Sequence, residues 1–248
     1  MVSRPAADIS RGVSGVALGF GIFLVALYVV PSLGPVARLV ESSAWLSEGE
    51  VTQLTLLIVS LSLIYPLGKG KVGGFGLRGA TPRQILVPAL TGMVVAFIVL
   101  VLSSVVMMAT AGPPEAGSAD PPMNGGWPRF VLSVVFLASI CEEVFARGLV
   151  LGYLAPLTRY SVRALRWRLS APVLVSALGF GLGHLCLLGS MDTRMVVLIV
   201  VNATVLGLLA GYHREKTGSI LPAIAVHMAF NIVGGLLAYL STAAEGVG

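Results

Sequence analysis

Seven stretches of this chain are long and apolar enough to cross a lipid bilayer: roughly residues 12–33, 51–68, 85–111, 128–157, 171–189, 194–212 and 219–242. A hydrocarbon core about 30 Å thick is spanned by about 20 helical residues. Backbone in lipid must satisfy its own hydrogen bonds, which leaves helices or closed barrels. Barrel strands alternate apolar and polar residues, whereas these runs are continuous. The expected fold is therefore all-α: a polytopic membrane protein with about seven transmembrane helices around an intramembrane polar cavity. Composition excludes the alternatives. The chain is 56% hydrophobic and 11% charged, against about 25% charged for a soluble domain. A disordered chain needs the opposite balance, and two cysteines cannot staple a disulfide scaffold. The first run is too long for the apolar core of a signal peptide and reads as a retained helix.

Charge placement orients the helices. Arg4, Arg11, Lys69, Lys71, Arg78, Arg83, Arg159, Arg163, Arg166, Arg168, Arg214 and Lys216 fall on one side, while Arg38, Arg129 and Arg194 fall on the other. By the positive-inside rule the N-terminus is expected in the cytoplasm, and the very apolar chain suggests a bacterial inner membrane. The net charge of +5 is then an orientation signal. No nucleic-acid-binding motif accompanies it, so the expected partners are the bilayer and a membrane-associated protein or peptide. Residues 112–126 read as an outer Pro/Gly-rich connector and residues 34–50 as partly interfacial. The segment Thr158–Leu169 alternates arginines with Leu165, Trp167 and Leu169 and reads as an anchor on anionic lipid.

Ionisable side chains inside a span are costly and mark function by default. Glu142, Glu143 and Arg147 lie within two turns of the fourth run. Glu143 and Arg147 are four residues apart and share a helix face, so they are expected to pair. Glu142, turned by about 100°, is expected to point unpaired into the cavity. His184 lies in the fifth run and His227 in the seventh, with Asn231 one turn beyond. Phe180 can wall the His184 ring from four residues away, and Gly179, Gly181 and Gly183 allow close approach. Cys141 and Cys186 lack metal-site spacing and read as packing residues. His213, beside Arg214, reads as an ordinary interfacial side chain.

A carboxylate, two imidazoles and an amide in a membrane cavity suit peptide hydrolysis, which needs a base for water and donors for an oxyanion. Two histidines and a glutamate are also a catalytic zinc ligand set, so Glu142, His184 and His227 are the candidate ligands of a possible divalent metal. Two other classes share the ingredients. Buried Glu, Arg and His also serve proton relays in ion-coupled transporters, although no internal repeat is visible. A non-catalytic adaptor would use the charges only to hold helices together.

Glu142-Glu143-x-x-x-Arg147, Phe180-x-x-x-His184 and His227-x-x-x-Asn231, in this order and each in its own apolar run, resemble the three motifs of the CPBP family, the CAAX and bacteriocin-processing intramembrane proteases with an ABI domain. Phe75-Gly76-Leu77-Arg78 resembles an element upstream in many members. The resemblance implies a catalytic helix core over 128–242; the apolar runs place three transmembrane helices in 1–127 before it, and a short tail, 243–248, follows. It implies an intramembrane CAAX-type endopeptidase in which Glu142 and His184 activate water. His227 and Asn231 would form the oxyanion hole, with Glu143 and Arg147 in support. Family members have been described as metalloendopeptidases and as metal-independent glutamate proteases, and the second version is favoured here. The family includes immunity and scaffold proteins. The substrates it allows are prenylated CAAX peptides, leader peptides and C-terminal sorting anchors.

Overall fold

The computed structural model describes residues 4–43, 45–111, 126–164 and 167–245. The expected connector at 112–126 lies outside them except for Gly126, and so do Leu165 and Arg166 of the expected anchor. The chain is an all-α bundle. Helix α1 (Arg4–Leu24) runs on as π-helix through Val25–Val29. A short α2 (Gly34–Ser42) precedes α3 (Glu48–Leu67). Helix α4 spans Pro82–Ala111. Helix α5 is one continuous helical run over 126–154. Two π stretches, Val131–Ala138 and Val144–Val150, flank the single α turn Ser139–Glu143. Helix α6 (Ala171–Gly183) ends in a 3₁₀ turn at His184–Leu187, and α7 (Thr193–Thr217) and α8 (Leu221–Glu245) complete the bundle.

The helix starts follow from local chemistry. Ser47 and Glu50 form a capping box on α3, with Glu50 Oε2 accepting the Ser47 backbone N–H at 2.8 Å. Ser170 caps α6, whose first turn carries Pro172. Asp192 caps α7 through the Arg194 and Met195 amides. The Arg194 side chain and those amides hold its carboxyl below the usual aspartate range. Gly218, at φ 69°, terminates α7 in the left-handed conformation, five residues beyond the expected end. Arg214 is consequently part of the helix and buried, not a loop charge.

Among the described residues, five helices are long and apolar enough to cross a membrane: Pro5–Val29, Glu48–Leu67, Pro82–Thr110, Thr193–Thr217 and Leu221–Ser241. The apolar helix over Ala171–Leu187 is shorter. Helix α5 carries the two fully buried charges, Glu143 and Arg147. Large side chains such as Phe97, Leu102 and Ile58 remain exposed on outer faces, as lipid-facing surfaces require. One core joins α4, α7 and α8 through Ala96, Leu206, Ala210, Val226 and Phe230. A second joins α3 to α5 through Ile64, Val144 and Leu149, with Phe75 and Ile220 packed in.

The Phe75–Arg78 element works as a knot between helices. Gly76 is left-handed (φ 84°), and a Cβ there would lie 2.5 Å from Arg214 Nε and 2.9 Å from Ile220 Cγ2. Its carbonyl accepts from Ile220 N at 3.0 Å, and the Arg78 carbonyl accepts from Ser219 Oγ at 2.7 Å. Arg214 donates to Gly74 O at 2.9 Å. The segment expected as a lipid anchor forms a two-stranded hairpin, β1 (Ser161–Ala164) and β2 (Trp167–Ser170), with Arg163 and Arg168 exposed. Trp167 packs on Tyr212 with ring centroids 4.5 Å apart, so its indole serves protein packing. His213 is half-buried, with Nε2 buried and unbonded among the described residues.

Candidate active site

Three helices place the ionisable residues. The α turn between the two π stretches of α5 carries Glu142 and Glu143, and Arg147 follows in the second stretch. π segments concentrate at functional sites because they shift side chains out of the regular α register. The i, i+4 pair still closes: Arg147 Nη1 lies 3.0 Å from Glu143 Oε1, and both side chains are fully buried. The Arg147 guanidinium stacks 4.5 Å from the Phe180 ring centroid, a cation–π contact that offsets desolvation. Helix α7 packs closely against Arg147 and against α6 because position 207 is glycine. A Cβ there would lie 2.7 Å from Arg147 Nη2 and 2.9 Å from Ala177 Cα.

His227 of α8 sits between the two glutamates. Its Nδ1 is 3.0 Å from Glu143 Oε1, and its Nε2 is 3.8 Å from Glu142 Oε2. A carboxylate oxygen only accepts, so Nδ1 carries the hydrogen that bonds Glu143. Glu142, Glu143, Arg147 and His227 therefore form one chain of contacts across α5 and α8, buried except at the partly exposed Glu142. Glu142 differs from expectation in one respect. It is bonded rather than unpaired, because Gln53 of α3 donates from Nε2 to Glu142 Oε1 at 2.6 Å. The packing of α3 against α5 brings that amide in.

His184 of α6 shares the region through Phe180. The two rings are edge-on at 5.2 Å, and Phe180 meets His227 edge-on at 5.6 Å. His184 Nδ1 lies 3.0 Å from the Phe180 carbonyl oxygen. A carbonyl can only accept, so Nδ1 bears the hydrogen and the neutral ring presents its lone pair at Nε2. Of the three glycines around it, Gly181 makes the tight approach: a Cβ there would collide with Thr204 Oγ1 and lie 2.8 Å from Val200 O. Gly179 and Gly183 have room for a side chain, which narrows the close-approach expectation to one position.

A cavity of about 260 Å³ lies against this cluster, lined by His184, His227 and Asn231, by Asn202 of α7, and by apolar side chains including Leu100, Phe130, Phe180 and Phe230. Glu142 is not in its wall. Asn231 gives both amide hydrogens to α5, one to Val134 O at 2.9 Å and one to Ser139 Oγ at 3.0 Å. The reverse amide orientation would set two oxygens against each other at Val134. Asn202 accepts from Ser103 Oγ at 3.1 Å. Sequence reasoning missed Gln53 and Asn202. Each is a carboxamide inside an otherwise apolar run, a weaker signal than a charge.

The metal reading was tested on the same side chains. Among the described residues, no group of three or more His, Cys, Asp or Glu is close enough together to hold a metal ion. Glu142, His184 and His227 are not gathered into one such group in this structure. His227 Nδ1 is bonded to Glu143, and His184 stands apart across Phe180. Cys141 and Cys186 are free thiols. Residues 124–233 match the family described as Type II CAAX prenyl endopeptidase Rce1-like. No curated protein and no solved structure matches the chain.

Proposed function

The segment 124–233 belongs to the Rce1-like family of type II CAAX prenyl endopeptidases, and from that premise we propose that this integral membrane protein hydrolyses a peptide bond of a membrane-associated substrate without a resident metal. One observation carries the reading: the partly exposed Glu142 and the buried His227, Glu143 and Arg147 form a continuous chain of contacts, beside a cavity that His184 and His227 line.

The chemistry follows from what each atom can do. Glu142 takes a proton from the attacking water, whose oxygen bonds to the scissile carbonyl carbon. His184, with its lone pair at Nε2, orients that water. The resulting oxyanion needs a donor, and His227 Nε2 faces the same region. Glu143 already holds a hydrogen on Nδ1, so the donating form of His227 is the imidazolium. Its charge and that of Arg147 balance Glu142 and Glu143. When the C–N bond breaks, Glu142 returns its proton to the leaving amine. Asn231 has both hydrogens committed to α5, so its role here is to fasten α8 to α5. Asymmetric loading of the basic residues supports a cytoplasmic N-terminus.

The test is cleavage of a farnesylated peptide ending in a CAAX sequence by the purified protein in liposomes, with the unprenylated peptide and Glu142→Gln as controls. Release of the C-terminal fragment by wild type alone supports the reading. Equal cleavage by Glu142→Gln removes Glu142 as the base. Cleavage of the unprenylated peptide at the same rate removes the prenyl group from recognition.

A further inference from the structure

Gln53 lies on α3, outside the matched segment 124–233, yet it makes the shortest hydrogen bond to the proposed base: Nε2 to Glu142 Oε1 at 2.6 Å. We propose that Gln53 is a positioning residue of the site, fixing the carboxylate of Glu142 so that Oε2 is the oxygen turned towards His227. This inference rests on the reading of Glu142 as base.

Three features of the contact support the proposal. The bond is charge-assisted: a carboxamide N–H donating to a carboxylate stabilises the ionised form, which is the form a general base must start from. The amide orientation is fixed by chemistry, since the opposite one would put two oxygens 2.6 Å apart whenever Glu142 is ionised. The other end of the amide is unsatisfied, because Gln53 Oε1 is buried with no hydrogen-bond partner among the described residues. A carboxamide serving only to glue helices would gain by using both ends. Helix glue between α3 and α5 is in any case supplied elsewhere: Arg129 Nη2 is 3.4 Å from Glu50 Oε2, and the Ile64–Val144 cluster packs the same two helices.

The bond also divides the labour of the two carboxylate oxygens. Oε1 is held by Gln53, and Oε2 lies 3.8 Å from His227 Nε2. Without the amide, the glutamate side chain regains rotamers that turn Oε2 away, and substrate binding would be unaffected because Gln53 is not in the cavity wall.

The experiment compares wild type, Gln53→Leu and Gln53→Glu, all purified in full length. Two readouts are followed: cleavage of the farnesylated CAAX peptide against pH, and the infrared carboxylic-acid band that Glu142→Gln removes. Loss of a hydrogen bond to a charged group should lower kcat in Gln53→Leu by about ten- to a hundredfold, with KM unchanged. The acid limb of the rate profile and the midpoint of the infrared band should both move to higher pH, and further in Gln53→Glu, where a second acid faces the first. A purely structural role would change the thermal midpoint and leave both pH midpoints in place, and that result overturns the proposal. If Gln53→Leu does not fold, Gln53→Glu, which keeps shape and length, carries the same comparison. Activity surviving in Glu142→Gln refutes the reading of the base, while the infrared midpoint still decides whether Gln53 controls Glu142.

Discussion

Replacing Glu143 with alanine should destabilise the protein far more than replacing Glu142 with glutamine, although the two positions are adjacent. Glu143 is fully buried, and its Oε1 holds both Arg147 Nη1 and His227 Nδ1 at 3.0 Å. Its removal strands a guanidinium that has no other ion-pair partner among the described residues; Arg147 Nε and Nη2 are already buried without hydrogen bonds. Breaking a buried pair by deleting one partner costs about 3–5 kcal/mol, and a stranded buried donor on His227 adds about 1–3 kcal/mol. The two overlap, so the lower sum of about 4 kcal/mol is the working figure. For a chain of this size that lowers the melting midpoint by about 8–16 °C. Glu142 keeps 19% side-chain exposure and touches His227 only at 3.8 Å. A glutamine there still offers Gln53 a carbonyl oxygen, so the cost stays within about 1 kcal/mol. The assay is thermal unfolding of both variants in one detergent beside peptide cleavage, with both expected to be inactive. Glu142→Gln melting far below wild type while Glu143→Ala melts with it would mean that the two roles have been exchanged.

Replacing the whole pair, Glu143→Met with Arg147→Met, should recover much of the stability lost in Glu143→Ala, because an apolar pair of similar volume carries no desolvation cost; its melting midpoint should lie above that of Glu143→Ala while cleavage stays absent. Gly207→Ala places a methyl 2.7 Å from Arg147 Nη2 and should cost about 1–3 kcal/mol through overpacking, read as a lower midpoint, whereas Gly179→Ala, with nothing within 4 Å, should melt like wild type. Dialysis against a strong chelator should leave peptide cleavage within twofold of the untreated enzyme; loss of activity restored by added zinc would establish a metal mechanism.

The sequence alone determined whatever depends on one helix or on the solvent. The length and continuity of the apolar runs forced an all-α membrane fold, since nothing else satisfies backbone in lipid. Helical spacing placed Glu143 over Arg147, and the structure bears out that pair at 3.0 Å. It also placed Phe180 beside His184. What required tertiary structure is what one helix presents to another. His227 and Glu143 are 84 residues apart and Gln53 and Glu142 are 89 apart; no spacing rule connects residues on different helices. Their contacts depend on the register in which helices pack, and that register is set by side chains whose roles look ordinary in sequence. Gly207 and Gly181 let α7 approach Arg147 and α6, and Gly76 admits Arg214 beneath the bundle. The same spacing that set Asn231 on the face of His227 could not show that its amide is already committed to Val134 and Ser139, nor that Glu142 would meet an amide where an open cavity was expected. Periodicity fixes which side chains share a face, while packing between helices decides which of them remain free to act.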